Sequence, residues 1–163
     1  MLLLDTSAHE AACARYVRIE GREHLAAYLS SNRAGWFRVA YVPDVGRDDE
    51  IEIISRWAYA LGDCCLVIDE LDLHVRPNVM PPDFKRLVVQ GRHRSVDMIG
   101  VAREPQQIPV AFRSQVTDFY CFRYFDPRAL DWFRQAGCLG AERLPELKGH
   151  SYLHWQDGVL EES

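Results

Sequence analysis

Residues 64–74 read CCLVIDELDLH, an apolar and thiol run that ends on the adjacent carboxylates Asp69 and Glu70, with Asp72 and His74 just beyond. An unbroken apolar run of this length has the pattern of a strand buried on both faces. Open parallel sheets gather ligands at the carboxyl ends of their strands, so acids at such an end stand where a ligand would sit. The two positions suit different tasks. An Asp at a strand tip can hold Mg²⁺ through its water shell, because that ion wants few protein oxygens and keeps its waters. A Glu immediately after it can orient and polarise a water that attacks a γ-phosphate. The same letters also fit a plainer role, with Asp69 capping a loop and Glu70 facing solvent. The residues alone leave both open.

Elements able to position these acids alternate along the chain. LLLD (2–5) predicts a short strand and YVRI (16–19) another. GREHLAAYLSSN (21–32) has helical spacing, with Leu25, Tyr28 and Leu29 on one side. WFRVAYVP (36–43) alternates, is rich in aromatic and β-branched residues, and stops at a proline. DDEIEIISRWAYALG (48–62) opens with acids and closes on Gly62, the charge and cap signals of a helix. After the 64–69 strand, PPDFKRLVVQG (81–91) starts with proline and ends with glycine, as a short helix does. VDMIGVA (96–102) and DFYCFR (118–123) predict strands, DPRALDWFRQAG (126–137) a helix, and SYLHW (151–155) a last strand before an acidic tail. No repeat, low-complexity segment or linker interrupts the series. The β-α alternation argues for a largely parallel α/β sheet.

The chain of 163 residues suits one compact domain, 1–163, with a real core. Apolar residues make up 48% and charged residues 26%, which is globular and not disordered composition. No stretch approaches the roughly 18 uncharged apolar residues of a membrane span, and the opening MLLLDTSAHE is no signal peptide. Five cysteines without a spaced framework predict reduced thiols in a cytoplasmic protein. Net charge is −5, unevenly spread: residues 76–103 hold six bases against two acids, while both flanking segments are acidic. Any phosphate contact should therefore be local, and a solvated basic loop is the plain alternative.

Metal binding by His150 and His154, or by Cys64, Cys65 and Cys121, is the weaker expectation. Vicinal cysteines on a strand point to opposite faces, and structural zinc wants four clustered ligands. Buried thiols acting as small hydrophobes suit the pattern better. Trp57, Phe119, Tyr120, Phe122, Trp132 and Phe133 fall at strand or helix spacing and read as core, since a base-stacking platform would need them exposed together. No GxSxG elbow or HExxH helix occurs.

Three stretches in order, LVIDELDLH, QGRHRSVDMIGVAREPQQIP and SQVTDFYCFR, resemble the FtsK–HerA branch of P-loop ATPases, including phage and zonular-occludens-toxin-like members. The match spans roughly residues 64–134, and a looser one (LLLD, then FRVAYVP) reaches the N-terminus. The resemblance implies a three-layer, RecA-like core of the additional-strand kind with a mostly parallel sheet, used to translocate or package DNA as a homo-oligomeric ring, phage-encoded or phage-derived. It makes Asp69 and Glu70 the Walker B pair, with ATP and Mg²⁺ as cofactors. Arg103 then stands in the sensor place, usually a polar Gln in that family, where it could contact a γ-phosphate or form a loop salt bridge. Arg92 and Arg94 become candidate trans-acting arginines for a neighbour's phosphate. They could equally touch DNA phosphates or satisfy helix-end carbonyls. Arg123 shares that ambiguity.

One departure is large. These 163 residues contain no GxxxxGK[ST], and neither of the two lysines, Lys85 and Lys148, follows a glycine-rich turn. That loop supplies the N–H groups and lysine that hold β- and γ-phosphates. By the resemblance, LLLDTSAHE would follow the P-loop helix, as the second strand and its acidic turn, so the chain begins one β-α unit late. Three expectations stay open: a longer natural product, a P-loop carried on a partner polypeptide, or a relative that keeps the fold for assembly. The function expected is that of an ATPase-type motor domain. The alternative is a non-catalytic module that binds a ring partner or DNA.

Overall fold

A computed structural model describes residues 1–4, 15–32, 35–43 and 49–161, leaving aside the side chain of Leu3. Asp5 and the acidic turn after it, Cys13, Asp48 and the end of the acidic tail lie outside the described residues. Five strands, β1 (Leu2–Leu4), β2 (Val17–Glu20), β3 (Val39–Val42), β4 (Cys64–Ile68) and β5 (Val96–Gly100), form one sheet in the order β2-β3-β1-β4-β5. Every pairing in it is parallel.

Three helical connections run between strands of this sheet: α1 (Arg22–Ser31), α2 (Glu50–Leu61), and the pair α3 (Leu71–His74) and α4 (Pro82–Gln90). Each steps across the sheet in the same direction, from β2 to β3, from β3 to β4, and from β4 to β5. Right-handed crossovers that all step one way put their helices on one face. Burial agrees. Leu2, Leu4, Val39, Tyr41, Leu66 and Ile68 share a face by register and are all buried. They form one core with Leu25 and Leu29 of α1, Ile51, Ile54 and Ala58 of α2, and Phe84 and Leu87 of α4. On the opposite face Cys65 and Val67 are only half-buried, and Ile99 and Val101 are 51% and 49% exposed. The described residues thus show two of the three layers expected, the sheet and one helical layer.

Local sequence explains the helix ends. Gly62 closes α2 at φ 64°, and its N–H donates to the Ala58 carbonyl. Pro82 opens α4, whose first amides, of Asp83 and Phe84, donate to the Glu52 carboxylate of α2 at 2.6 and 3.3 Å. An anion at a helix N-terminus satisfies orphan donors and the dipole together. Here the cap comes from another helix and so docks α4 on α2.

The rest of the chain departs from a single parallel sheet. After α5 (Val110–Arg113), strands β6 (Asp118–Phe122), β7 (Tyr152–Gln156) and β8 (Val159–Glu161) make a separate antiparallel sheet in that order. Residues expected as an acidic tail instead close a hairpin, turning at Asp157 and Gly158, both of which have positive φ. Helix α6 (Pro127–Gln135) packs Phe133 on this sheet with Cys121, Leu153 and Trp155. Trp132 packs against both cores and joins them. Cys121 and Cys138 are buried here; burial pushes the Cys138 thiol up to about 11 and raises Cys121 as well. They pack as small hydrophobes in this second core.

One polar network underlies the main core. Glu50, only 1% exposed at the start of α2, accepts from the Tyr41 hydroxyl at 2.5 Å and from Arg22 Nε at 2.8 Å, and Arg22 also pairs with Asp49. Nearby His74 has a buried Nε2 with no hydrogen-bond partner among the described residues. Desolvation holds its pKa below the ordinary imidazole value, against the opposing pull of Glu50, Glu70 and Asp72.

Two outcomes follow. A Trp155→Ala chain removes the largest fully buried side chain and the donor to the Leu139 carbonyl at 2.8 Å. It should lose about 3–5 kcal/mol in urea unfolding. His74 favours its neutral form when folded, so its share of stability is complete well above the unfolded pKa of about 6.5 and is lost as pH falls through the lower folded value. Urea midpoints should drop on acidification through this range, and His74→Asn should flatten that drop.

Candidate functional site

Asp69 follows the last residue of β4, and the β4–β5 register fixes what stands beside it. Ile68 pairs with Gly100, Val101 N–H donates to the Ile68 carbonyl at 2.9 Å, and Leu71 N–H donates to the Val101 carbonyl at 2.7 Å. On the other side Asp69 N–H donates to the Leu4 carbonyl at 3.1 Å. Both acids therefore sit at the carboxyl rim of the parallel sheet, flanked by β1 and β5. Glu70 takes a left-handed conformation, φ 51° and ψ 44°, and its N–H donates to Asp69 Oδ1 at 3.0 Å. A non-glycine residue held there costs on the order of 1 kcal/mol, and such strain concentrates at functional sites. Gly100 leaves room for the turn: a Cβ at that position would meet a Leu71 side-chain methyl at 2.6 Å, so a larger residue would have to displace that side chain.

The loop after β5 completes the rim. Arg103 Nη2 lies 3.0 Å from Glu70 Oε1, its backbone N–H donates to Asp72 Oδ1 at 3.1 Å, and its carbonyl accepts from the Tyr124 hydroxyl at 2.7 Å. Backbone and side chain together tie Arg103 to β4's end and to Tyr124, two residues past the end of β6. The ion pair is not a stability device, because Arg103 is 66% exposed and exposed pairs contribute roughly 0–1 kcal/mol. Beside it opens a cleft of about 610 Å³ lined by Asp72, Leu73, Arg103, Glu104, Gln107 and Tyr124.

Asp69, Glu70 and Arg103, predicted at one site, come together here. Arg92 and Arg94 do not join them. They lie in a 3₁₀ turn, Gly91–Arg94, before β5, at the opposite end of a five-residue strand that is roughly 16 Å long. Arg94 reaches the last-turn carbonyls of α2, Tyr59 and Ala60, at 3.3 and 3.4 Å, and Arg92 is exposed. Arg123 lies over the Phe125 ring at 4.7 Å. Cys64 and Cys65 are in a different sheet from Cys121, and His154 is engaged by Asp118 and Glu161 at 3.0 and 2.8 Å. Among the described residues no group of three or more His, Cys, Asp or Glu could hold a metal ion. A Mg²⁺ ion that keeps most of its waters needs only one or two carboxylates, so the oxygen donors of Asp69 and Glu70 fit that ion and not a caged zinc.

Sequence reasoning missed Glu50, Tyr41 and Arg22. The only signal was an acid among four in DDEIE opening a helix, and nothing in the run tells buried Glu50 from exposed Asp49. It also missed Tyr124, whose hydroxyl anchors the Arg103 loop across 21 residues.

No family model matches the chain, and no curated protein does. Solved structures do match. The genome packaging NTPase B204 from Sulfolobus turreted icosahedral virus 2, in complex with AMPPCP, superposes with a TM-score of 0.77 at 16% identity, over 98% of this chain and 80% of that one. The same NTPase in complex with AMP gives 0.69 at 16% identity, over 99% and 95%. B204, the DNA-packaging ATPase from Sulfolobus Turreted Icosahedral Virus, gives 0.70 at 16% identity, over 98% and 80%. No helix among the described residues is long and apolar enough to cross a membrane. Across nearly its whole length, this chain has the fold of a viral genome-packaging NTPase.

Proposed function

We propose that the β4–β5 rim is the water-activating half of a nucleoside-triphosphate hydrolysis site in a DNA-packaging or DNA-translocating motor of the FtsK–HerA kind, working as an oligomeric ring. The observation that supports it most directly is the 3.0 Å contact between Glu70 Oε1 and Arg103 Nη2 at the strand end that carries Asp69. In this reading the sheet belongs to a three-layer RecA-like core. Asp69 holds Mg²⁺ through water. Glu70 orients the attacking water by accepting its hydrogen. Arg103 directs its guanidinium at the γ-phosphate, and drawing it there releases the Glu70 carboxylate for its task. Bound Mg²⁺·ATP would supply the phosphoryl group and neutralise its charge. The phosphate-gripping loop, which these 163 residues do not contain, comes from outside them. Arg92, exposed at the far pole, is available to a neighbouring subunit or to DNA.

A second reading has its own support. Glu70 is already ion-paired, and the chain contains no GxxxxGK[ST], which suits a non-catalytic module that keeps the fold for assembly.

Calorimetric titration with Mg²⁺·ATP and a phosphate-release assay separate the two. Under the first reading Glu70→Gln keeps nucleotide affinity and lowers turnover by about 10²-fold or more, while Arg103→Ala weakens both. No heat at millimolar ATP, with the chain alone and with a loop-bearing partner, would leave the assembly reading.

A further inference from the structure

A charged cluster away from the rim lies on the antiparallel sheet. Register places His154, on the central strand β7, opposite Tyr120 of β6 and Glu161 of β8. Its ring Nε2 lies 3.0 Å from Asp118 Oδ1, and its Nδ1 lies 2.8 Å from Glu161 Oε2. The Tyr120 ring stacks on the imidazole, with centroids 4.1 Å apart and planes 8° from parallel. Among the described residues, Asp118 from β6 and Glu161 from β8 are the charged groups within ion-pair distance of the ring. Its neighbours on the same face of β7 are Tyr152 and Gln156. The side chain is 12% exposed, so stack and acids together fix the ring in place. A neutral imidazole has one N–H and one lone pair. A lone pair aimed at a carboxylate oxygen at this distance is repelled, and only the imidazolium donates to both acids. The geometry is that of the protonated ring.

The two acids are not held equally. Thr117 Oγ1 donates to Asp118 Oδ2 at 2.7 Å, and this bond, with the one from His154, holds the Asp118 carboxyl below the usual carboxylate range. Asp118 also begins β6, a five-residue strand paired with β7 along its whole length. Glu161 ends β8, which has three residues and pairs with β7 alone. Its side chain is half-exposed, and among the described residues His154 is its one ionic partner. Within β8, Val159 is exposed, and Leu160 packs on the second core. So short an edge pairing is marginal by itself. What closes β8 on β7 is Leu160 and the His154–Glu161 contact.

We propose that His154 is a proton-operated clasp on the β7–β8 hairpin. As the imidazolium it bridges Asp118 and Glu161 and holds β8 against β7. When the Nδ1 proton passes to water, the ring keeps its Nε2–H bond to Asp118, Glu161 turns to solvent, and β8 detaches. Asp118 is the acid that stays, because Thr117 and the β6 ladder fix it, whereas Glu161 reaches water without moving its neighbours. Closure thus takes up one proton, and rising pH opens the hairpin. Opening bares the β7 edge and the apolar seat of Leu160. The clasp stands on the antiparallel sheet alone and is independent of any chemistry at the rim.

Backbone direction supplies the reporters. Asp157 N–H donates to the Thr117 carbonyl, so the Leu153 and Trp155 amides face β6, and alternation turns those of His154 and Gln156 to β8. Hydrogen exchange of the ¹⁵N-labelled chain, residues 1–163, is followed from about pH 5 to about pH 8, across the ordinary imidazole range. Each rate is divided by that of the unstructured amide at the same pH. Protection of the His154 and Gln156 amides should fall by about fivefold or more as pH rises, with Leu153 and Trp155 unchanged. His154→Gln can donate to one acid only and sets its carbonyl oxygen against the other, so both reporters should be weakly protected at every pH. Glu161→Gln should do the reverse, because its amide donates to the bare Nδ1 and keeps the hairpin closed across the range. Protection that ignores pH in the unchanged chain, an equal loss at Leu153 and Trp155, or a pH response retained in either variant would overturn the inference. If His154→Gln does not fold, Glu161→Gln, at a half-exposed side chain, decides.

Discussion

Parallel pairing between β4 and β5 is the constraint on which the rim depends. In the register Cys64 with Val96 through Ile68 with Gly100, both strands end at the same height, so Glu70 and Arg103 emerge side by side and reach 3.0 Å. A one-residue slip would exchange the two faces of β5. Val96 would leave the core and Ile99 would enter it. It would also remove Gly100 from beneath Leu71, where a larger residue would push the Leu71 methyl aside. One register therefore sets the core, the turn at Glu70 and the position of the arginine together.

The helical layer holds that register through polar contacts as well as apolar ones. Glu52 caps α4 from α2, and Glu50 joins α2 to β3 through Tyr41 and to α1 through Arg22. A buried carboxylate with two donors is expensive to disturb, because losing either donor leaves a desolvated charge. The network thus favours one arrangement of three helices on the sheet. By contrast, the Glu70–Arg103 pair is largely solvated and contributes position, with little stability. Strong contacts thus lie under the rim and weak, movable ones on it.

Among the described residues the opposite face has no such cover at β4 and β5. Parallel sheets are normally buried on both sides, and here Ile99 and Val101 are half-exposed. The antiparallel sheet stays in place through Trp132, shared by both cores, and through Tyr124 on the Arg103 carbonyl. The rim is thus braced by a sheet to which it is not hydrogen-bonded strand to strand.

Much was legible in the sequence because it is governed by local periodicity. The apolar run 64–68, the caps of α2 and α4, and the strands near 17–20, 39–42 and 96–100 follow from spacing, Gly62 and Pro82. The acids at the end of β4 were legible for the same reason, since a strand's tip is a local property. Strand order was not, because β1 lies between β3 and β4 through pairings 35 or more residues away. Neither was the division into two sheets, nor β8, whose three residues pair only because Asp157 and Gly158 turn the chain back on β7. Equal acids in DDEIE could not reveal that Glu50 is buried under Tyr41 and Arg22 while Asp49 is exposed. Composition and periodicity determined the elements and the chemistry at their ends. Only tertiary packing decided which ends meet, because sheet pairing and burial are set by residues far apart along the chain.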